Sequence, residues 1–574
     1  MRPHRIRLFH CLLGFAVAAL LAPATAGATT YCVDEPSCAG VPKPSLQEAL
    51  DAALTAGPDR IEIGPTVGNP LQGGTYLSDD PLEVQGAGRG VTQLGGAGTV
   101  LTLGQGYGSS SVSVSDLTVA VQGPGRTGLR LDGARADRVD VQGDAAVSGS
   151  VGVELQNGAA FQQGTATLPA ANAIGLWARL GTSRVDDAVV DLGGGPNAGG
   201  ILVANPDGNT PVILDAQHLT VAGANAGGQV GATAQSVGAG QTVVLNLRDS
   251  IFSGVTHPLS RAVSAGSANI NPTYSNFDPV GNVDSGGSGA ITSSPTNSNS
   301  NPAFVNAAAH DFRLSPGSPL VDAAQPGNLD SGDPTSDVTG TRRLLDGSGD
   351  CSPRRDMGAF ELLPGSVTAR ATAGPSATTI NQRVTFDASG SCDPDPSAGI
   401  SSYSWSFDEG GSATGAVVPR SFAKPGVHSA TLTVTSSAGR TGSVKVSVMV
   451  SSPPKKPRKP RRSFVLIQAR SVTVAPNGVA LIPLRCSGTR RCTGRLQLTA
   501  ARPVSESVRK LIVKLGSTTF AIRRNHTKKV RMRLSRLALL EELRRMRTIV
   551  TVRDRDSAGR PRRSMRVITL RASR

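Results

Sequence analysis

Three residues at near-equal intervals carry the chemistry this chain offers most openly: Arg130, Glu154 and Trp177, 24 and 23 residues apart. Each sits in the same short unit, Gly128-Leu129-Arg130-Leu131, Gly152-Val153-Glu154-Leu155 and Gly175-Leu176-Trp177-Ala178. Side chains alternate along a strand. If Leu129, Val153 and Leu176 point inward, Arg130, Glu154 and Trp177 point outward on successive coils. Asp132, Gln156 and Arg179 then form a second outward column. A polar stripe with one aromatic ring is the composition of a sugar-binding face, with Arg130, Glu154, Trp177 and Arg179 as its contacts. Asp132 and Glu154 lie on a diagonal roughly 8 Å apart, a spacing open to two-carboxylate glycoside hydrolysis. The plain alternative is a ladder of charges that stabilises the sheet, with Trp177 a partly covered surface ring.

Other reactive types are sparse. His218 reads as a stacked structural residue rather than a base. Asp346-Gly347-Ser348-Gly349-Asp350 begins like a calcium loop, but Cys351 stands where the tight-turn glycine belongs and Met357 where the bidentate Glu belongs. Calcium is the one cofactor left open, and no metal ligand is assigned. No CxxC occurs, and three histidines (His218, His257, His310) lie in the large domain, so zinc is disfavoured.

The elements that position these residues are short strands. The Gly-led unit recurs at Gly200-Ile201-Leu202-Val203 and more weakly at Gly231-Ala232-Thr233-Ala234. The steps are 24, 23, 25 and 31 residues. A second strand follows each of the first four units: Arg138–Val141, Thr165–Leu168, Ala188–Asp191 and His218–Val221. Such a period, with no helix between strands, signals a solenoid of stacked β-coils. Upstream, Ser45 to Gly57 places Leu46, Ala49, Leu50, Ala53 and Leu54 on one helical face with Ser45 as N-cap, a helix suited to closing the open end of the stack.

The Ser45–Tyr76 opening resembles the N-terminal cap of bacterial right-handed β-helix proteins of the pectin-lyase-like fold. The segments Asp311–Ala323 (DFRLSPGSPLVDA) and Arg354–Glu361 (RRDMGAFE) are similar to their closing segment. The resemblance covers roughly Tyr31–Leu362. It implies a right-handed parallel β-helix, and a family that includes polysaccharide lyases, glycosidases and surface proteins. A pectate lyase would imply a basic catalytic base, yet Lys43, in the cap, is the only lysine of this domain. The polygalacturonase pattern of Asn-Thr-Asp, paired Asp and Gly-His-Gly is absent.

Ser366–Ser452 is similar to a PKD (polycystic kidney disease-type) domain through Phe386–Ser391, Tyr403–Asp408, Pro425–His428 and Ala430–Val434. It implies a β-sandwich with Trp405 in its core. Asp408-Glu409-Gly410 departs from the usual Gly-Asp-Gly. Pro453 to Arg462 is a Pro/Lys/Arg linker. Beyond it, seven strand-like stretches and a short amphipathic helix over Leu534, Leu537, Ala538 or Leu540 and Leu543 resemble the small basic β-sandwich modules that end many secreted actinobacterial proteins.

Charge divides sharply. Residues 27–365 carry 16 Lys and Arg against 32 Asp and Glu, a net −16, whereas residues 453–574 carry 33 against 5, a net +28. Such a field attracts polyanions: teichoic acids, acidic polysaccharides or extracellular DNA. No aromatic-rich nucleic-acid motif accompanies it, so no specific nucleic acid is expected.

Arg2, Arg5 and Arg7 precede an apolar run from Cys11 to Ala22 and small-residue cleavage sites, the pattern of a secretory signal; the run is too short to span a bilayer. In an oxidising compartment Cys32 with Cys38, and Cys486 with Cys492, read as local disulfides; Cys351 and Cys392 are left over, able to bridge two domains but with their pairing open. The chain therefore reads as all-β: a signal peptide at 1–26, a right-handed parallel β-helix at 27–365, a PKD-like domain at 366–452, a linker at 453–462 and a basic module at 463–574. It is expected outside the cell, contacting wall or other extracellular polysaccharide without catalysis. The rival is a secreted polysaccharide lyase or glycoside hydrolase.

Overall fold

A computed structural model gives the fold for residues 27–574, apart from 55–56, 67, 107–110, 209, 293, 331, 454–462, 505–508, 536–545, 556–558 and 574. The expected signal peptide, most of the linker and most of the expected helix around Leu537 lie outside the described residues. The chain divides into two compact units, 1–452 and 453–574.

The first unit opens with stacked parallel strands. Leu101, Leu129, Val153, Leu176, Ile201, Ala232 and Leu259 pair in register through seven successive strands and are all buried, forming one inward column. The inner and outer positions alternate because the strand period is two. The Gly that leads each unit is explained by stacking. A Cβ at Gly152 would stand 2.5 Å from the Gly175 carbonyl oxygen, and one at Gly200 would stand 2.4 Å from that of Gly231. No larger residue fits between these backbones. The helix Leu46–Ala52 closes the N-terminal end as expected. The Ser45 side chain accepts from the Glu48 N–H, and Leu46, Ala49 and Leu50 are fully buried.

A second column forms a corner. Asp116, Arg138, Gln163, Asp187, His218, Asp249 and Tyr274 all have φ between 46° and 58°. The pairings of their neighbours stack them one above another. One left-handed residue per coil turns the chain from one face to the next. That conformation is costly for non-glycine residues and least so for Asp.

Residues 303–362 fold back over this corner. Phe312 and Ala359 pack with Val189 and Ala222, while Leu314, Leu320 and Met357 pack with Ile251. Arg343, fully buried, donates to Asp187 (Nε to Oδ1 3.0 Å) and to Glu361 (Nη1 to Oε2 3.1 Å). A disulfide joins Cys351 to Cys392, with Cα atoms 5.8 Å apart. It ties the closing segment to the sandwich that follows. There two sheets enclose Trp405, whose indole N–H donates to the Gly415 carbonyl at 3.0 Å and whose ring lies 5.6 Å from that of Phe386.

The second unit is an eight-stranded sheet around Ile482, Leu484, Leu496, Leu498, Val550, Val552 and Leu570. The Cys486–Cys492 and Cys32–Cys38 disulfides form as expected. Among the described residues no helix is long and apolar enough to cross a membrane.

Candidate functional site

The outward column expected from the repeat is present. Thr75, Thr102, Arg130, Glu154, Trp177, Leu202, Thr233 and Ser260 are paired in register on one face. Neighbouring strands lie about 4.8 Å apart, so side chains of successive coils touch. Glu154 is only 1% exposed. Its Oε2 accepts from Arg130 Nε at 3.1 Å and Nη2 at 2.9 Å; its Oε1 accepts from Gln156 Nε2 at 2.7 Å and Arg179 Nη1 at 3.3 Å. Two guanidiniums and one amide thus claim both oxygens.

Trp177 is half-buried. Its indole N–H donates to the Ala204 carbonyl at 3.0 Å, and the Arg179 guanidinium carbon lies 5.0 Å from the ring centroid. A cation over an indole face is held electrostatically. Arg179 also pairs with Asp207.

The second expected column departs from the sequence reading. Asp132 pairs with Gln156, but the register shifts after Leu155, and Gln156 faces Leu180 rather than Arg179. The extra residue is a bulge, which re-aims the side chains beside it. Arg179 thereby reaches back to Glu154 instead of extending the Asp132 column. Asp132 accepts from Asn157 Nδ2 at 2.7 Å. A two-carboxylate hydrolase needs one protonated acid and one free carboxylate around the sugar. Glu154 is instead a buried counter-ion.

A second place was missed in the sequence. Beside the corner lies an open groove of about 390 Å³ lined by Arg184, Asp186, Asp215, Gln217, Asn246, Arg248, Asn271 and Thr273. On its floor Asn271 donates to Asn246 at 2.9 Å and Asn246 to Asp215 at 2.7 Å. Asp333, from the closing segment, receives Arg184 Nη2 at 2.9 Å and Gln217 Nε2 at 2.8 Å. Burial pushes the Asp186 carboxyl up despite Arg184 at 2.5 Å, and its Oδ1 has no hydrogen-bond partner. The groove spans four coils, and Asp333 reaches it from a segment 85 to 149 residues beyond the Arg248, Gln217 and Arg184 it contacts, which no local spacing reveals.

The deeper corner is inaccessible. His218 is fully buried, with Nε2 3.4 Å from Asp249 Oδ2 and Nδ1 3.8 Å from Asp187 Oδ1. Burial holds its pKa well below the usual value and lifts Asp187 to about 7 and Asp249 to about 6. His218 is stacked within the coils, as expected.

Ligand atoms of Asp322, Asp346 and Asp350 lie within 4.8 Å of one another. The Asp346 carboxylate, however, accepts the backbone N–H groups of Gly349, Asp350 and Cys351, and Asp322 accepts those of Gly347 and Ser348. These carboxylates shape the turn.

With this geometry in hand, comparison with known proteins adds one assignment. Among curated proteins none matches the chain. Solved structures with some likeness include carbohydrate-binding modules of the β-sandwich superfamily (17% identity, 29% of this chain and 84% of that one, TM-score 0.15). Fibronectin(III)-like modules of Clostridium thermocellum CbhA also appear (10% identity, 36% and 94%, TM-score 0.12). So does a 1.5-MDa bacterial ice-binding adhesin (16% identity, 36% and 65%, TM-score 0.13). Likeness at these scores carries no argument about function. Residues 368–450 match the PKD domain family, and the chain contains a PKD domain there.

Proposed function

We propose that this chain is a secreted, cell-surface or wall-associated protein that binds a glycan along the Arg130/Glu154/Trp177/Arg179 face without cleaving it. The observation that carries the reading is the buried Glu154, whose two oxygens fix Arg130 and Arg179 while Arg179 stacks on Trp177. A rigid ring flanked by oriented donors suits a sugar, whose apolar face stacks while its hydroxyls accept. Both Glu154 oxygens are already occupied by Arg130, Gln156 and Arg179. Three disulfides favour an oxidising, extracellular setting. The basic unit adds long-range attraction to wall polyanions.

The test compares Trp177→Ala and Glu154→Gln on any glycan the wild type binds. Trp177→Ala weakens binding about tenfold with the fold intact. Glu154→Gln loosens the face and lowers the melting temperature of the first unit. Unchanged binding by Trp177→Ala leaves the column a purely structural ladder.

One observation favours the rival enzyme reading. Asp186, beneath the groove beside Arg184 and Arg248, has a fully buried side chain whose Oδ2 accepts from Arg184 and Gln162, a raised pKa and an Oδ1 without a hydrogen-bond partner. If the wild type releases reducing ends or unsaturated sugars and Asp186→Asn stops the release, the groove is an active site and the binding-only reading falls.

A further inference from the structure

In the second unit, Arg495, Arg553 and Arg563 lie directly opposite one another on three adjacent antiparallel strands, Cys492–Val504, Met546–Arg555 and Pro561–Ala572. All three are exposed. Directly opposed residues share a face of the sheet, and like charges placed so repel. Thr519, on the next strand, faces Arg495 and extends the row with an exposed hydroxyl. Other cations of the unit are arranged differently. Lys529, Arg531 and Arg533 alternate along one strand, opposite Pro483, Leu481 and Val479. The row is thus three arginines on adjacent strands about 4.8 Å apart, crossing the strand direction on one face.

We infer that the row Arg495–Arg553–Arg563 is an anion-binding track for a linear polyphosphodiester without bases, of the poly(glycerol phosphate) type. Each guanidinium presents a planar fork that matches phosphate oxygens, and a chain laid across the strands meets three forks in succession. The aromatics of the unit are Phe464 and Phe520; Phe520 is buried, and neither is paired with a residue of the row. A nucleic acid strand would find no ring on this face to stack its bases. The inference rests on the polyanion attraction proposed for the basic unit and assigns it a place and a ligand class.

The experiment titrates poly(glycerol phosphate) into the full-length secreted protein at several salt concentrations. Three proteins are compared: wild type, Arg495→Gln/Arg553→Gln/Arg563→Gln, and Lys529→Gln/Arg531→Gln/Arg533→Gln, the last two carrying equal net charge. The row variant should bind at least about tenfold more weakly, while the other triple variant loses less than about threefold. The slope of log affinity against log salt should shrink by about two in the row variant alone. Its melting temperature should hold or rise, since repulsion is removed, which separates loss of binding from loss of fold. Equal losses in both variants overturn the row and leave a diffuse basic field. No binding by the wild type overturns both the row and the polyanion reading. Binding of polygalacturonate or single-stranded DNA as tight as that of poly(glycerol phosphate) overturns the phosphodiester assignment.

Discussion

The coiled domain and the basic unit are both built from alternating strands, yet they treat charge in opposite ways. In the coils and their closing segment, Arg130, Arg179, Arg184, Arg248, Arg261, Arg343 and Arg355 each contact a carboxylate, and several of these pairs are buried. In the basic unit, Arg495, Arg553 and Arg563 face one another. Charge in the first region is internal wiring, fixing coil to coil and closing segment to corner. On the reading proposed above, charge in the second would serve long-range attraction rather than stability.

The largest effect expected from breaking this contrast is at Arg343. Removing it by Arg343→Ala strands Asp187 and Glu361 in the interior, at a cost of about 3–5 kcal/mol. Arg563→Ala in the basic unit should change stability by less than about 0.5 kcal/mol. Denaturation of both variants, followed by probes in each unit, checks the pair. Comparable losses would erase the distinction between wiring and field.

The next effect concerns the disulfides. Cys351–Cys392 spans 41 residues, against 6 for Cys32–Cys38 and for Cys486–Cys492. On loop-closure entropy the long bridge contributes about 4 kcal/mol and each short one about 2. Cys351→Ser/Cys392→Ser should therefore lower the melting temperature of the first unit more than either short-loop pair lowers its own.

The legible part of the molecule is the part whose cause is local. The leading Gly of each coil is readable because a Cβ there collides with the backbone of the next coil, so the residue recurs at Gly152, Gly175 and Gly200. Trp405 and the Phe386 segment announce the PKD domain for a similar reason: a sandwich core needs that aromatic. The left-handed corner was hidden because Asp, Arg, Gln, His and Tyr all occupy it, and a shared backbone conformation leaves no shared residue type. The bulge beside Leu155 was equally silent; it takes Arg179 out of the Asp132 column and gives it to Glu154. The groove at Asp186 depends on Asp333 and the fold-back of residues 303–362, a contact across the chain rather than along it.

pH sharpens the contrast further. Burial raises Asp187 to about 7, Asp249 to about 6 and Glu361 to about 7. An acid whose pKa is higher folded than unfolded favours the fold at low pH, and that contribution is lost as pH rises through the folded value. His218, held low, works the other way below about 6.5. Three carboxyls outweigh one imidazole, so the melting temperature of the coiled domain should fall between pH 5 and pH 8. A melting temperature that rises across that window would show these groups to be paired more strongly than buried.

A smaller effect within the coiled domain belongs to the outward face. Glu154→Gln keeps one acceptor oxygen, turns the other into an amide donor facing donors, and removes the charge shared by Arg130 and Arg179, whose side chains are 36% and 30% exposed. A loss of about 1–2 kcal/mol is expected by denaturation. No loss would mean that Arg130 and Arg179 are not held by Glu154, and the platform under Trp177 would lack its support.

The central claim is binding without cleavage, and one measurement meets it directly. Wild-type protein is incubated with an array of extracellular and wall polysaccharides, with binding and soluble product read from the same wells. Retention on at least one glycan is expected, sharply reduced by Trp177→Ala, with neither reducing ends nor unsaturated sugars released. Product from any bound polysaccharide, or retention indifferent to Trp177, would contradict it.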